Sequence, residues 1–248
     1  MLEIFYEDKE IIVVKKPVGM ESQASHFFAP DLVSEIRKHI NRLSTGKGEP
    51  YVGVIHRLDK PVGGIMVYAK TKKAAGILSA QVQSREMQKM YMAVVCGKPV
   101  DNVDNFVDYL LKDCGGNMSR IVEKGINGGK RAELSYQAVE TLEEEGMPLL
   151  TLVKIRLVTG RHHQIRVQFA GHGLPLWGDS RYNPEFACVN GLGLEDRTAK
   201  DHRPFGLSRP AIALSACELT LIHPSTKKQM HFQMEPEGEI FSRFKKFK

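Results

Sequence analysis

Apolar positions along the chain change their period several times, and each change marks an element. Residues 11–14 are a short β-branched run closed by Lys15-Lys16-Pro17-Val18-Gly19, which predicts a strand and a turn. Over 31–43 the apolar residues fall at 32, 33, 36, 40 and 43, a helical spacing with Asp31 placed as its N-cap. Residues 51–55 are strand-like, and 64–69 have the continuous apolar character of a buried strand. Thr71 then caps a predicted helix to about residue 85, with Ala74, Ala75, Ile77, Leu78 and Val82 on its inner face. Residues 90–95 predict another strand, ended by Gly97. Segments 132–141 and 149–158 alternate polar and apolar, as half-exposed antiparallel strands do. Residues 211–222 and 230–234 read as two last strands. In 164–170, alternation favours a strand while the flanking Thr159-Gly160-Arg161 and Gly171 suit a short helix, and periodicity does not separate the two. Segment 183–209 is irregular. Strands dominate and helices are interspersed without strict βαβ order, so the expected class is α+β with a mixed, mostly antiparallel sheet.

The chain has 248 residues, 42% of them hydrophobic, enough to build a proper core. Neither a repeat nor a low-complexity segment interrupts it, and a single domain over 1–248 is expected. No apolar run approaches the ~18 residues of a membrane span. Met1-Leu2-Glu3-Ile4 lacks the basic-then-apolar plan of a signal peptide. Cys96, Cys114, Cys188 and Cys217 are scattered, which fits reduced thiols and a cytoplasmic setting.

Charge changes the picture more than composition does. The net charge of +6 is mild, but its distribution is uneven. After Asp59 no carboxylate occurs until Glu86, while Lys60, Lys70, Lys72, Lys73 and Arg85 fall between them. A second acid-free tract, 146–178, holds Lys154, Arg156, Arg161 and Arg166 with His162, His163 and His172. One carboxylate at the edge of two basic tracts suits a site that attracts a polyanion and reserves one acid for chemistry.

Three groups of residues can carry that chemistry. Asp59 lies in His56-Arg57-Leu58-Asp59-Lys60, before the turn Pro61-Val62-Gly63-Gly64; a loop carboxylate of this kind either meets a substrate or pairs with Arg57 or Lys60. Thr159-Gly160-Arg161-His162-His163-Gln164-Ile165-Arg166 offers many donors and no ionised acceptor, in keeping with recognition of phosphate or carboxylate. Adjacent histidines rarely ligate one ion unless further ligands converge, and neither HExxH nor a cysteine pair accompanies these, so no metal is expected. In Lys89-Met90-Tyr91, Tyr91 is either a core aromatic or a ring that stacks on a base and offers its hydroxyl to acid/base work. A glycosidase needs a second carboxylate, for which Asp179 is the one attractive candidate. A GxSxG elbow, a P-loop and a GxGxxG fingerprint are all absent.

Taken together, these segments resemble the RluA family of RNA pseudouridine synthases. The matches run in family order: Glu10 to Gly19 for the Lys-Pro-x-Gly motif, His56-Arg57-Leu58-Asp59 for HRLD, Lys89-Met90-Tyr91 for K-x-Y, 159–166 for TGRxHQIR, then Gly178-Asp179-Ser180-Arg181-Tyr182 and His223-Pro224. The resemblance implies a pseudouridine synthase fold whose central sheet is split by the active-site cleft. It implies Asp59 as catalytic aspartate, Tyr91 as the residue that stacks on the base and takes part in proton removal, and Arg166 as the partner that keeps Asp59 ionised. Arg57 would enter the space left by a flipped nucleotide, with His56, Lys89, Arg161, His163 and Gln164 also on the substrate. No cofactor is implied, since the reaction is an isomerisation. The implied partner is ribosomal or transfer RNA, bound by a monomer without an S4 domain. Val62-Gly63-Gly64 stands where the family commonly has Thr-Ser-Gly, so two hydroxyls that would brace the loop are absent.

Overall fold

The computed structural model describes residues 2–24, 30–43, 48–113, 115, 117–186 and 210–247. The chain divides into two compact units, Met1–Tyr91 with Ser215–Glu237, and Met92–Leu214 with Gly238–Lys248. Together their strands and helices make an α+β protein whose strand pairs are mostly antiparallel.

In the first unit, β1 (Ile4–Glu7), β2 (Ile11–Lys16) and β4 (Gly63–Ala69) pair antiparallel in succession, and β3 (Gly53–Val54) adds to β4. Strand β10 (Leu214–Ile222) runs parallel to β4 through Ser215 and Ala216, and β11 (Gln229–Gln233) folds back on it. Helix α1 (Leu32–Leu43) begins where expected, the Asp31 carboxylate accepting the Ser34 N–H. Helix α2 (Lys72–Gln83) begins where Thr71 Oγ1 accepts the Ala74 N–H at 3.1 Å. Ala74 and Leu78 of α2 join Ile11, Val13, Ile65, Val67, Leu219 and Leu221 in one buried cluster. The continuous apolar runs of β2 and β4 follow from burial on both faces.

Gly64, the last residue of Val62-Gly63-Gly64, is required by the sheet. Its φ is +132°, and a Cβ there would stand 2.3 Å from the Ala216 carbonyl oxygen and 2.6 Å from the Ala216 nitrogen. The parallel contact of β4 with β10 needs that absence. Gly64→Ala should therefore destabilise the fold by at least about 3 kcal/mol through backbone strain and overpacking. Urea unfolding checks this, and a loss under ~1 kcal/mol would show that β10 moves aside easily.

Strand β5 (Gln88–Cys96) runs from the first unit into the second. The second unit's antiparallel strands are β6 (Val103–Lys112), β7 (Ser119–Val122), β8 (Lys130–Leu142) and β9 (Leu150–Leu157), ordered β9-β8-β6-β7. The ambiguous segment is a helix, α3 (Gln164–Gly171), whose residues Gln164 to Phe169 are all buried. That explains the uninformative pattern, because a helix buried all round has no polar face to set a period. Val167 packs on Leu110 and Ala132, while Phe169 meets the rings of Phe106 and Tyr136. Helix α4 (Glu239–Ser242), with Ile240 and Phe241 buried, is followed by a 3-10 turn, Lys245–Phe247. Of the irregular 183–209 segment, Pro184–Phe186 is a 3-10 turn and 187–209 lie outside the described residues. Among the described residues no helix is long and apolar enough to cross a membrane.

Candidate active site

In the first unit the HRLD loop is braced by the Lys-Pro-x-Gly loop. Lys16 is fully buried, and its ammonium donates to the carbonyls of Pro17 (3.0 Å), Met20 (2.5 Å) and Lys60 (3.1 Å). The Gly19 N–H donates to the same Lys60 carbonyl at 2.9 Å. On the other flank of Asp59, Ser22 Oγ donates to the Leu58 carbonyl (2.8 Å) and accepts the Leu58 N–H (3.0 Å), while the Tyr68 hydroxyl donates to the Ser22 carbonyl. Val62 N–H closes the turn onto the Asp59 carbonyl. Asp59 is thus held from both sides through its neighbours' backbone. Burial pulls the Lys16 ammonium down to about 8, against the opposing pull of the Asp59 and Glu21 carboxylates. Lys16 and Ser22 had no role assigned from sequence. Lys16 is the lysine of Lys-Pro-x-Gly, but partners up to 44 residues away set its bracing role, and nothing local marks Ser22.

Tyr91 is 5% exposed. Burial, then the charge of Asp59, pushes its phenol up, so the hydroxyl keeps its proton at neutral pH. The same field ties Tyr91, Lys16 and Asp59 into one group. His56 and Lys89 form a second pair: burial, then the Lys89 charge, holds the imidazole down at about 3. His56 Nε2 accepts the Val67 N–H at 3.3 Å, so its ring completes the edge of β4. Arg57 is exposed and, among the described residues, makes no hydrogen bond or ion pair.

In the second unit the TGRHHQIR segment is folded by its own amide. Gln164 Oε1 accepts from the Thr159 hydroxyl (2.7 Å) and the Arg161 N–H (3.0 Å), and Nε2 donates to the Glu133 carbonyl. At 3% exposure, Gln164 shapes the loop instead of reaching outward. His163 is also buried, at φ +53°, and its Nδ1 takes the Tyr182 hydroxyl at 2.9 Å. That hydroxyl in turn accepts the Ser119 N–H of β7 at 2.7 Å. Of the group placed on the substrate, Gln164 and His163 are therefore interior, whereas Arg161 is exposed, with its Nε donating to the Arg131 carbonyl.

Arg166 is 3% exposed and grips Asp179 as a fork, Nε to Oδ2 at 2.8 Å and Nη2 to Oδ1 at 2.6 Å. Oδ1 also accepts the N–H groups of Arg181 and Tyr182. The sequence offers Asp179 as a second glycosidase carboxylate. The structure corrects that: a fully buried carboxylate saturated by a guanidinium and two backbone donors has no oxygen to offer a sugar or a water. Its task is to orient Arg166.

These geometries sit on a recognisable sequence framework. Residues 10–171 match the family model described as RNA pseudouridylate synthase. The chain belongs to that family. Ribosomal large subunit pseudouridine synthase D of Zymomonas mobilis is 32% identical over 98% of this chain and 72% of its own length. The tRNA pseudouridine synthase C of Vibrio cholerae is 28% identical over 93% of this chain and 89% of its own. For the fold, human RNA pseudouridylate synthase domain containing 4 aligns with a TM-score of 0.72 at 21% identity, covering 96% of this chain and 90% of that one. As a family member the chain is an isomerase that converts uridine in RNA to pseudouridine.

Proposed function

We propose that this pseudouridine synthase acts on uridines in structured ribosomal or transfer RNA, as a cytoplasmic monomer, with Asp59, Tyr91 and Arg166 as its catalytic residues. The observation that carries the assignment is the bracing of Asp59. Its loop is clamped by a buried lysine and a buried serine, which fixes the carboxylate in advance of the substrate. The reaction breaks C1′–N1 and forms C1′–C5; a proton leaves C5 and one is returned to N1. Asp59 stabilises the positive charge that develops at C1′, by covalent addition or as a neighbouring anion. The target base must leave its stack to be reached, and exposed Arg57 is placed on the same loop to fill the space. Arg161 contacts the RNA backbone, and Gln164 and His163 set that loop's shape. Arg166, oriented by Asp179, supports the ionised form of the catalytic carboxylate.

Tyr91 retains its proton while Asp59 is charged. Once Asp59 is consumed in bonding to the substrate, one of the two causes of that retention is gone and the phenol gives up its proton more readily, to N1 of the detached uracil; the phenolate so formed then takes the proton from C5. Tyr91→Phe should bind RNA nearly as wild type does, yet release tritium from RNA labelled at uracil C5 roughly 10²–10⁴-fold more slowly. Wild-type release would leave only stacking for the ring. The function as a whole is tested by mapping pseudouridines in total RNA from cells with and without the gene. Loss at defined ribosomal or transfer RNA positions is expected, and an unchanged map would overturn the proposed targets.

A further inference from the structure

His56 and Lys89 present donors that no group among the described residues accepts. Because His56 Nε2 accepts the Val67 N–H, the proton of the neutral ring sits on Nδ1. Nδ1 is buried and has no hydrogen-bond partner among the described residues. Lys89 is half-buried on β5, two residues before Tyr91, and neither a hydrogen bond nor an ion pair reaches it from the described residues. The two lie close enough for the Lys89 charge to bear on the His56 ring. Native proteins satisfy nearly all their buried donors, so the buried Nδ1–H of His56, with the unpaired Lys89 ammonium near it, calls for an acceptor from outside. On the loop that carries His56, Arg57 and Lys60 are exposed and likewise meet no carboxylate among the described residues.

Resting on the assignment as an RNA pseudouridine synthase, we propose that Lys89 and the Nδ1–H of His56 form a binding site for a phosphate oxygen next to the target uridine. An ammonium withdrawn from water gains most from an ionised acceptor, which favours phosphate over a uracil carbonyl. The imidazole supplies a second, neutral donor whose direction is fixed by its bond to β4. In this arrangement the HRLD histidine and the K-x-Y lysine do one job together: they anchor the nucleotide's backbone beside the carboxylate loop.

The test uses the full chain labelled with ¹⁵N-histidine, titrated separately with uridine, uridine 5′-monophosphate and uridine 3′-monophosphate. The His56 signal is assigned with His56→Asn. One monophosphate should bind at least about ten-fold more tightly than uridine and shift the His56 Nδ1–H resonance. Lys89→Met should remove that preference while leaving uridine affinity unchanged, and Lys89→Arg should keep part of it. If both monophosphates bind no better than uridine, or leave His56 unmoved, the site is overturned even where Lys89→Met proves unstable, because the wild-type comparison decides. An equal His56 response to uridine would assign the donors to a uracil carbonyl and also overturn it. Asp59→Asn should show the wild-type preference without turnover. The monophosphate preference together with no pseudouridine formed in RNA by the wild-type enzyme would therefore count against the catalytic assignment alone.

Discussion

Replacing Asp59 by asparagine should lower pseudouridine formation by on the order of 10⁴–10⁶-fold while RNA affinity stays within a few-fold of wild type. The side chain keeps its size and loses only its charge and nucleophilicity. The bonds that hold the loop are made by the backbone of Leu58, Asp59 and Lys60 with Ser22, Val62 and Lys16, and asparagine leaves each of them intact. The variant should thus unfold within a few degrees of wild type, so that lost turnover reports chemistry and not a lost fold. Tritium release from C5-labelled RNA measures turnover, and filter binding measures affinity. Appreciable pseudouridine from purified Asp59→Asn would remove Asp59 from the mechanism.

Asp179→Ala should reduce stability by about 3–5 kcal/mol, a large share of the roughly 5–15 kcal/mol typical of a folded protein. The variant deprives a guanidinium that is 3% exposed of its two-point carboxylate partner. It also strips the Arg181 and Tyr182 N–H groups of their acceptor. Tyr182 carries the consequence outward, because its hydroxyl joins Ser119 of β7 to His163 at the head of α3. The double variant Arg166→Met/Asp179→Leu should instead keep much of the stability, since an apolar pair of similar volume removes both buried charges. It should not recover turnover, because the proposed support for Asp59 is then gone. Urea unfolding at constant m-value gives the stabilities. A loss below ~1 kcal/mol in Asp179→Ala would mean that the fork does not set Arg166 in place.

Much of the fold was legible along the chain because local physics decided it. Thr71 and Asp31 cap their helices by reaching three residues ahead, and β2 and β4 announce their burial by continuous apolar runs. The ordered motifs carried the family, and the acid-free tracts carried the partner class, since polyanion binding leaves its mark in charge distribution. Strands β6 and β7 were not legible. Val103 and Val107 point to solvent while Phe106 and Leu110 point inward, so β6 has no clean alternation, and pairing with β8 defines it. Helix α3 had no period because every face is buried.

The same division runs through the site. Sequence alone picked out Asp59, Tyr91 and Arg166, because reactive residue types recur at fixed spacing in recognisable motifs. It did not reveal that Lys16 and Ser22 hold the Asp59 loop, that Gln164 and His163 turn inward, or that Asp179 belongs to Arg166. Those facts depend on which backbone carbonyl or N–H stands opposite a side chain once distant segments meet: 36 residues separate Ser22 from Leu58, and 63 separate Ser119 from Tyr182. A residue's type and spacing set the chemistry open to it. Burial and the acceptors the fold brings to it decide whether that chemistry faces the substrate or holds the protein together.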